Sequence, residues 1–258
     1  MHFEEIDFSR YTSIKIGPKI PVALISSPEE LTPEMTLIGR GYNLLISNTP
    51  PKLAILDKEF AYLRQEHTTL IAGAATTAAS LFRFAKENDI GGFEFLSKLP
   101  GSVGGLVAMN AGLKEYEIFG NLIGVLTPNG FVPKEAIPHG YRFAKLPAPI
   151  LEAHFAIHRR FNPALLDLFS AMRSNQPKEP SAGSFFKNPP GDYAGRLIEA
   201  VGLKGARVGG MAFSEIHANF LVNKGGGTFD EAICLVQEAT KRVFEEFGVI
   251  LEPEVKIL

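Results

Sequence analysis

The sequence has few of the residues that build disulfide frameworks or metal sites. It contains one cysteine, Cys234, six histidines and no tryptophan in 258 residues. A single cysteine excludes an internal disulfide framework, and there is no Cys-x-x-Cys pair or Cys/His cluster to form a structural zinc site. We therefore expect no bound metal and a protein adapted to a reducing compartment.

A charge excess and a long apolar run are missing as well. The formal net charge is -2, from 26 Lys and Arg against 28 Asp and Glu, which offers no electrostatic basis for binding nucleic acid or an anionic membrane. No apolar run approaches transmembrane length, and residues 1–5 lack the apolar core of a signal peptide. These absences predict a cytoplasmic protein that neither binds nucleic acid nor inserts into a membrane.

The clearest pattern that is present is a set of glycine-rich loops. Residues 99–105 read Leu-Pro-Gly-Ser-Val-Gly-Gly, and shorter glycine turns lie at residues 39–43 and 110–112. Three glycines and a proline in seven residues predict neither a helix interior nor a strand interior, and glycine lets backbone N–H groups approach an anion. A tight connection between two packed elements is the alternative. Because the G-x-G-x-x-G spacing is absent, the loops favour a diphosphate held by an α+β domain.

Hydrophobic periodicity predicts a mixture of strands and helices. Strands are predicted at residues 12–17, 35–38, 44–46, 53–56, 69–73, 122–127, 150–157 and 218–222, and helices at residues 78–88, 163–172, 193–201 and 229–247. Thr77 is a predicted helix cap, and Thr228 with Glu231 forms a capping box. The length suits two domains, with a boundary near residues 159–163, where Asn162 precedes a helix-starting proline.

The last helix and the segment after it carry further expectations. The helical period places Phe244 and Phe247 toward the core and Cys234 in or beside it. From residue 249 onward, apolar residues alternate with Glu252, Glu254 and Lys256, which predicts a strand with both carboxylates on one face. That face is either a solvated edge or part of a site, and the alternation does not choose between the two carboxylates.

Five motifs occur along the chain in a set order, at residues 39–45, 99–105, 182–189, 217–220 and 251–255. In this combination the chain resembles the family of UDP-N-acetylenolpyruvoylglucosamine reductases, in the short form that lacks a loop carrying a substrate-covering tyrosine. The resemblance implies an α+β protein: a two-subdomain FAD-binding fold of the vanillyl-alcohol-oxidase type with a smaller α+β C-terminal domain. Residues 1–160 would bind FAD, in subdomains of about 1–60 and 61–160, and residues 161–258 would bind the substrate.

The resemblance also implies an activity. The family uses FAD and NADPH to reduce the enolpyruvyl ether of UDP-N-acetylglucosamine enolpyruvate to UDP-N-acetylmuramate, in peptidoglycan precursor synthesis. Neither residues 39–45 nor residues 99–105 contain a histidine that could attach FAD covalently. We expect non-covalent FAD, a UDP-sugar substrate, NADPH as hydride donor, and a monomer.

Individual roles follow from the same motifs. Arg142, Ser184 and Glu254 would be the catalytic arginine, the proton-donating serine and the catalytic glutamate. The residues that would bind the cofactor are Gly39, Arg40, Gly41, Tyr42, Asn43, Leu44, Leu45, Leu99, Pro100, Gly101, Ser102, Gly104, Gly105, Asn110 and Gly112. The residues that would bind the substrate are Tyr141, Arg173, Lys187, Asn188 and His217.

The chain departs from the family pattern at three positions. Tyr42 and Ala144 stand where the family usually has serine, and Pro18 stands where a second glycine is common. Two alternatives are therefore kept. One is another FAD-dependent oxidoreductase of the same fold, and the other is a non-catalytic module that binds a flavin or a nucleotide sugar.

Overall fold

The computed structural model describes residues 1–157 and 160–258, so residue 159 of the predicted boundary lies outside the described residues. The backbone divides into two compact units, each assembled from separate stretches of chain. The first unit comprises Met1–Glu4, Val22–Arg40 and Lys52–Ser174, and the second comprises Glu5–Pro21, Gly41–Pro51 and Asn175–Leu258. The division into FAD-binding residues 1–160 and substrate-binding residues 161–258 stays a prediction, because it concerns ligands and not backbone contacts.

The described residues contain strands and helices throughout, which confirms the predicted α+β class. The strands are β1 His2–Asp7, β2 Lys19–Ile25, β3 Thr36–Ile38, β4 Leu44–Leu45, β5 Leu53–Leu56, β6 Leu63–Glu66, β7 Thr69–Gly73, β8 Gly112–Leu113, β9 Tyr116–Glu117, β10 Leu122–Thr127, β11 Gly130–Pro133, β12 His139–Gly140, β13 Phe143–Ala144, β14 Glu152–Ala156, β15 Ser181–Ser184, β16 Arg207–Val208, β17 Met211–Phe213, β18 Phe220–Asn223 and β19 Lys256–Ile257. The α-helices are α1 Phe8–Tyr11, α2 Ala78–Glu87, α3 Val103–Ala108, α4 Leu165–Met172, α5 Ala194–Ala200 and α6 Phe229–Phe247. Short 3₁₀ helices span Pro28–Glu30, Lys58–Phe60, Glu94–Lys98, Ile118–Gly120 and Lys134–Ala136.

The first unit is built on an antiparallel sheet in the order β11–β10–β14–β7–β6. A second sheet has the order β1–β2–β5–β3, in which β2, β5 and β3 run parallel. Phenylalanines fill the core, as in the edge-to-face contact of Phe93 with Phe155 at 5.3 Å. Helix α2 starts at Thr77, whose side chain accepts the N–H of Ser80, so the predicted cap is confirmed.

The second unit is built on an antiparallel sheet in the order β15–β18–β17–β16, with α5 and α6 packed beside it. The capping box of Thr228 and Glu231 is confirmed, and α6 ends at Gly248 with φ +67. Phe244 and Phe247 are 53% and 38% exposed, so the prediction that they face the core is wrong. The buried residues of α6 are Ala232, Leu235, Val236, Ala239 and Val243. The core face therefore ends before the last turn.

Cys234 lies outside the buried face of α6. It is exposed, which corrects the expectation that it packs in or beside the core. Its neighbours Leu235 and Val236 take the buried positions instead. Among the described residues, no helix combines the length and the apolarity needed to cross a membrane.

Two predicted strands are different in the structure. Residues 12–17 contain no strand and only residues 13–14 form a turn. The Thr12 hydroxyl hydrogen-bonds to the carbonyls of Phe8 at 2.8 Å and Ile16 at 3.1 Å, which competes with a strand ladder. The predicted C-terminal strand is regular only at β19. Before it, Pro253 forms one isolated bridge with Phe186. A proline cannot donate to a ladder, and this limits the regular pairing.

Candidate active site

The loop at residues 99–105 leads directly into a helix. Ser102 is the N-cap of α3, and its Oγ accepts the N–H of Gly105 at 3.4 Å. The stretch is predicted to be neither a helix interior nor a strand interior, and residues 103–105 form the first turn of α3. Close packing requires a glycine there, since a Cβ at Gly104 would lie 3.1 Å from Ala74 Cβ.

The backbone N–H groups of this loop divide into two sets. Val103 and Gly104 donate to the carbonyls of Thr76 and Ala74, at 2.8 and 2.9 Å, so these two do not serve an anion as the glycine pattern predicted. The N–H groups of Gly101 and Ser102 donate to no acceptor within residues 1–157 and 160–258. Gly101 has φ +133, a conformation that favours glycine. These two N–H groups are the ones available to a phosphate.

The first glycine turn begins beside this loop in the first unit. A Cβ built on Gly39 would lie 2.7 Å from Ser102 Oγ and 3.9 Å from Gly105 Cα. Glycine at position 39 therefore lets the two stretches approach closely. The N–H of Arg40 also donates to no acceptor in the described part of the chain. This glycine-lined cradle, formed by residues 39–40 and 101–105, fits a diphosphate.

The rest of that turn belongs to the second unit. Gly41 has φ +73, and its carbonyl accepts the N–H of Ser13 at 3.0 Å. Asn43 Nδ2 donates to the carbonyl of Glu254 at 3.0 Å. Leu44 and Leu45 form β4, which pairs in parallel with β19. The turn therefore supports the C-terminal segment. Tyr42, the departure from the family pattern, is 43% exposed.

Arg142 lies at a strained two-residue turn of the first unit. Strands β12 and β13 pair His139 with Ala144 and Gly140 with Phe143, which leaves Tyr141 and Arg142 as the connection. Arg142 has φ +59, and its Nη2 donates to the carbonyl of Gly112 at 2.7 Å. Its guanidinium also lies 5.2 Å from the centroid of the Tyr141 ring. A strained backbone held by specific contacts is typical of functional positions.

Asn110 supports the same turn by a hydrogen bond to Gly140. It is fully buried, and its Nδ2 donates to the carbonyl of Gly140 at 3.0 Å and to Glu117 Oε2 at 2.8 Å. Its Oδ1 accepts the N–H of Phe119 at 3.3 Å. The side chain is thus engaged with protein groups. If Asn110 contacts the cofactor, the contact uses the backbone of Asn110.

Arg173 is the C-cap of α4 and lies in the first unit. Its guanidinium donates to the carbonyl of Lys98, which directly precedes the loop at residues 99–105. Burial lowers the pKa of Arg173, but an arginine remains protonated at neutral pH. The structure therefore places a partly desolvated cation next to the start of the glycine loop.

The segments that carry Ser184 and Glu254 pair in the second unit. Strand β15 bulges between Ser181 and Ser184, with Gly183 at φ +85. After the bulge the chain runs antiparallel to the C-terminal segment, and the carbonyl of Phe185 accepts the N–H of Glu254 at 2.8 Å. Phe185 therefore lies opposite Glu254, and Ser184 is the residue directly before Phe185.

The same pairing brings Lys187 to Glu252. The N–H of Lys187 donates to the carbonyl of Glu252 at 2.9 Å, and the two side chains form an ion pair at 2.5 Å. The Lys187 side chain is 18% exposed, whereas that of Glu252 is 68% exposed. The alternation treated the two carboxylates alike, and the structure shows that Glu252 is a partner of Lys187.

Asn188 and His217 lie in the second unit as well. Asn188 Oδ1 accepts the N–H of Ala194 at 3.1 Å, at the start of α5. His217 Nδ1 accepts the N–H of Asn219 at 3.3 Å. Burial, with a smaller effect from the charge of Lys204, lowers the pKa of His217. The ring is therefore neutral at pH 7.

Comparison with known proteins gives a consistent result along the whole chain. The profile of the UDP-N-acetylenolpyruvoylglucosamine reductase C-terminal domain matches residues 176–258. The UDP-N-acetylenolpyruvoylglucosamine reductase of Helicobacter hepaticus is 49% identical, with 98% of each chain covered. The enzyme of the same name from Helicobacter pylori strain 26695 is 43% identical, also with 98% of each covered. The chain belongs to this family.

A solved structure of the family agrees with the fold. The crystal structure of UDP-N-acetylenolpyruvylglucosamine reductase from Thermus caldophilus superposes with a TM-score of 0.86 at 32% identity. The superposition covers 100% of this chain and 99% of the Thermus caldophilus chain. The predicted family and its fold class are thereby confirmed.

Asn219 and Glu117 are the supporting residues that motif reading missed. Glu117 accepts a hydrogen bond from Asn110, and Asn219 is a buried amide beside the Ser184 segment. Asn219 stands inside the quoted motif at residues 217–220. The available signal was that Asn219 stands directly before an apolar strand, where a buried polar side chain requires a hydrogen-bond partner.

Proposed function

We propose that this protein is a FAD-containing, NADPH-dependent oxidoreductase. It reduces the enolpyruvyl ether of UDP-N-acetylglucosamine enolpyruvate to UDP-N-acetylmuramate in peptidoglycan precursor synthesis. The observation that carries the proposal is the direct pairing of the segment that carries Ser184 with the segment that carries Glu254. A hydroxyl that donates a proton and a carboxyl group that binds the enolate are the groups that protonation of a substrate carbon requires.

The residues of the first unit fit FAD. The glycine-lined cradle offers the N–H groups of Arg40, Gly101 and Ser102 to the diphosphate. When bound, FAD supplies hydride transfer from NADPH to the enolpyruvyl group. The protein contributes orientation and an electrostatic field around the substrate.

Arg142 stabilises the negative charge that develops on the substrate. Hydride addition to the methylene carbon leaves an enolate spread over the neighbouring carbon and its carboxylate. The guanidinium binds such a group with two parallel N–H donors, and its position is set by the strained turn and by the bond to Gly112. Glu254 adds a hydrogen bond to the enolate when it is protonated.

Ser184 completes the reaction by proton transfer. Its Oγ donates the proton to the carbon next to the substrate carboxylate, and the resulting alkoxide is stabilised by nearby positive charge. Lys187, three residues along the same segment, is the candidate source of that charge. Solvent then restores the proton on Ser184.

The remaining predicted residues are proposed to bind the substrate. Lys187 and Arg173 supply cations for its phosphates, Asn188 and the neutral His217 offer hydrogen bonds, and Tyr141 offers an aromatic face. We propose that the enzyme acts in the cytoplasm as a monomer.

The decisive experiment measures NADPH consumption by the purified yellow protein. Absorbance at the NADPH band should fall only when UDP-N-acetylglucosamine enolpyruvate is present, with one NADPH used per UDP-N-acetylmuramate formed. A protein that binds FAD but ignores this substrate would be another oxidoreductase of the same fold. A protein that binds flavin or nucleotide sugar without turnover would be a binding module.

A further inference from the structure

Asn219 is a buried side chain that no step of the proposed mechanism uses. It is 2% exposed and lies directly before β18. Its amide makes two hydrogen bonds with one residue. Asn219 Oδ1 accepts the N–H of Phe186 at 2.9 Å, and Nδ2 donates to the carbonyl of Phe186 at 2.8 Å.

These bonds continue the pairing of β15 with β18 beyond its regular end. The last paired residues are Ser184 and Phe220, and next to them the backbone carbonyl of Asn219 accepts the N–H of Phe185 at 2.7 Å. A side-chain amide presents an N–H donor beside a carbonyl acceptor, as the backbone of a strand residue does. The Asn219 side chain therefore pairs with the backbone of Phe186 as a neighbouring strand would.

The backbone that Asn219 holds also holds Glu254. The carbonyl of Phe185 accepts the N–H of Glu254 at 2.8 Å, and Phe186 forms a bridge with Pro253. Residues 185–186 are thus bonded to Asn219 and also to the segment that carries Glu254. Ser184 directly precedes them, so any shift of this backbone moves Ser184 against Glu254.

We propose that Asn219 is a positioning residue that sets the distance between Ser184 and Glu254. Its catalytic consequence rests on the proposed function, whereas its effect on the backbone does not. The N–H and the carbonyl of Phe186 are both buried, so removing the Asn219 amide leaves these two groups without their hydrogen-bond partner.

The first test is Asn219→Ala in the FAD-loaded enzyme, studied by anaerobic stopped flow. Reduction by NADPH should keep its normal rate, because it needs no proton on the substrate carbon. Reoxidation by the enolpyruvyl substrate should slow on the order of a hundredfold, the usual cost of a misplacement of about 1 Å. Equal slowing of both half-reactions, or of neither, would overturn the proposal.

Asn223→Ala is the matched control. Asn223 lies at the other end of β18, is 7% exposed, and donates to the carbonyl of Ile14 at 3.1 Å. Its Oδ1 accepts the N–H of Gly225 at 2.9 Å. Both variants should lower the melting temperature, but only Asn219→Ala should slow reoxidation. The same kinetic defect in both would reduce Asn219 to a structural residue and refute the inference.

Asn219→Asp gives a readout that a structural role would not move. An ionised aspartate accepts from the N–H of Phe186 but repels its carbonyl, whereas a protonated one donates to that carbonyl. The reoxidation rate relative to wild type should therefore rise as the pH falls, while the ratio for Asn219→Ala stays flat. His217, Lys187 and the nearby glutamates are present in all three proteins, so the ratio cancels their effects. A flat ratio for the aspartate variant would contradict the proposal.

Hydrogen–deuterium exchange tests the backbone effect without turnover. Peptides that cover residues 184–187 and 252–255 should exchange faster in Asn219→Ala than in wild type. In Asn223→Ala their exchange rates should equal those of wild type. Unchanged exchange in Asn219→Ala would refute the inference. If wild-type enzyme accepts NADPH but is not reoxidised by the enolpyruvyl substrate, the proposed function fails, and exchange alone decides whether Asn219 holds this backbone.

Discussion

Arg142 shows how one residue can be read from its backbone as well as from its side chain. A non-glycine residue at φ +59 costs about 1–3 kcal/mol, so the surrounding contacts must favour this conformation strongly. Those contacts are the bond to Gly112 and the support of Asn110 under Gly140. The same contacts therefore hold the strained backbone of Arg142 and orient its guanidinium group.

We expect Arg142→Lys to be strongly impaired. Lysine offers a point charge where arginine offers a planar fork, and loss of one such electrostatic contact costs on the order of 3 kcal/mol, or about a hundredfold in kcat. Steady-state kinetics with the enolpyruvyl substrate measure this. Arg196→Lys is the control, because Arg196 forms an ion pair with Asp192 at the surface of the second unit. Near-normal turnover of Arg142→Lys would remove this residue from the site.

Ser184→Ala should separate the two half-reactions. Ser184 Oγ makes no hydrogen bond within the described residues, so its removal leaves no partner unsatisfied and folding should survive. Stopped-flow mixing with NADPH should bleach the flavin at the normal rate. Reoxidation by substrate should slow by several orders of magnitude, because the proton donor is gone.

Ser181→Ala, at the other end of β15, is the control for Ser184→Ala and should leave both rates unchanged. Equal slowing of both half-reactions in Ser184→Ala would make Ser184 structural. Normal rates in both would assign the proton to water or to another residue.

At the scale of elements, the glycine loop illustrates what composition does and does not predict. Its glycines indicate close approach correctly, as Gly104 against Ala74 shows. Composition does not tell which N–H groups remain available. Val103 and Gly104 are bonded to residues 74–76, which are distant in sequence, and that pairing exists only in the folded chain.

We expect Gly101→Ala to weaken FAD binding. Gly101 has φ +133, which a side chain makes strained, and its N–H is one of those available to the diphosphate. Gly130→Ala is the matched control, because Gly130 has φ +112 and open space around it, at the first residue of β11. Both should lose stability by about 1–2 kcal/mol.

Only Gly101→Ala should emerge from gel filtration with less than one FAD per chain. The flavin-to-protein absorbance ratio measures this directly. Full FAD content in Gly101→Ala, or an equal loss in Gly130→Ala, would mean that residue 101 does not contact the diphosphate.

At the scale of the molecule, FAD should be bound tightly but without a covalent bond. Acid precipitation should release all of the flavin into the supernatant, because no histidine lies in either glycine loop. Free FAD at about a hundredfold excess over its Kd should stabilise the folded state by about 2.7 kcal/mol, seen as a higher melting temperature. Colour that stays with the acid pellet would show a covalent bond.

The division into units was beyond the reach of sequence reading. Residues 5–21 and 41–51 belong to the second unit together with residues 175–258. Periodicity and loop composition are local signals, so they place a boundary along the chain and cannot assign an early segment to a late one. The contacts responsible, such as Asn223 with Ile14 and Asn43 with Glu254, join residues about two hundred positions apart.

The sequence by itself determined the family, the α+β class and most elements of strong periodicity, such as α2 and α6, because these depend on local patterns and on the order of motifs. Tertiary structure alone decided that the segment of Ser184 pairs with the segment of Glu254, which carboxylate pairs with Lys187, and which side chain holds Phe186. Those relations are hydrogen bonds between segments distant in sequence. Their geometry is set by packing, which period and composition do not encode.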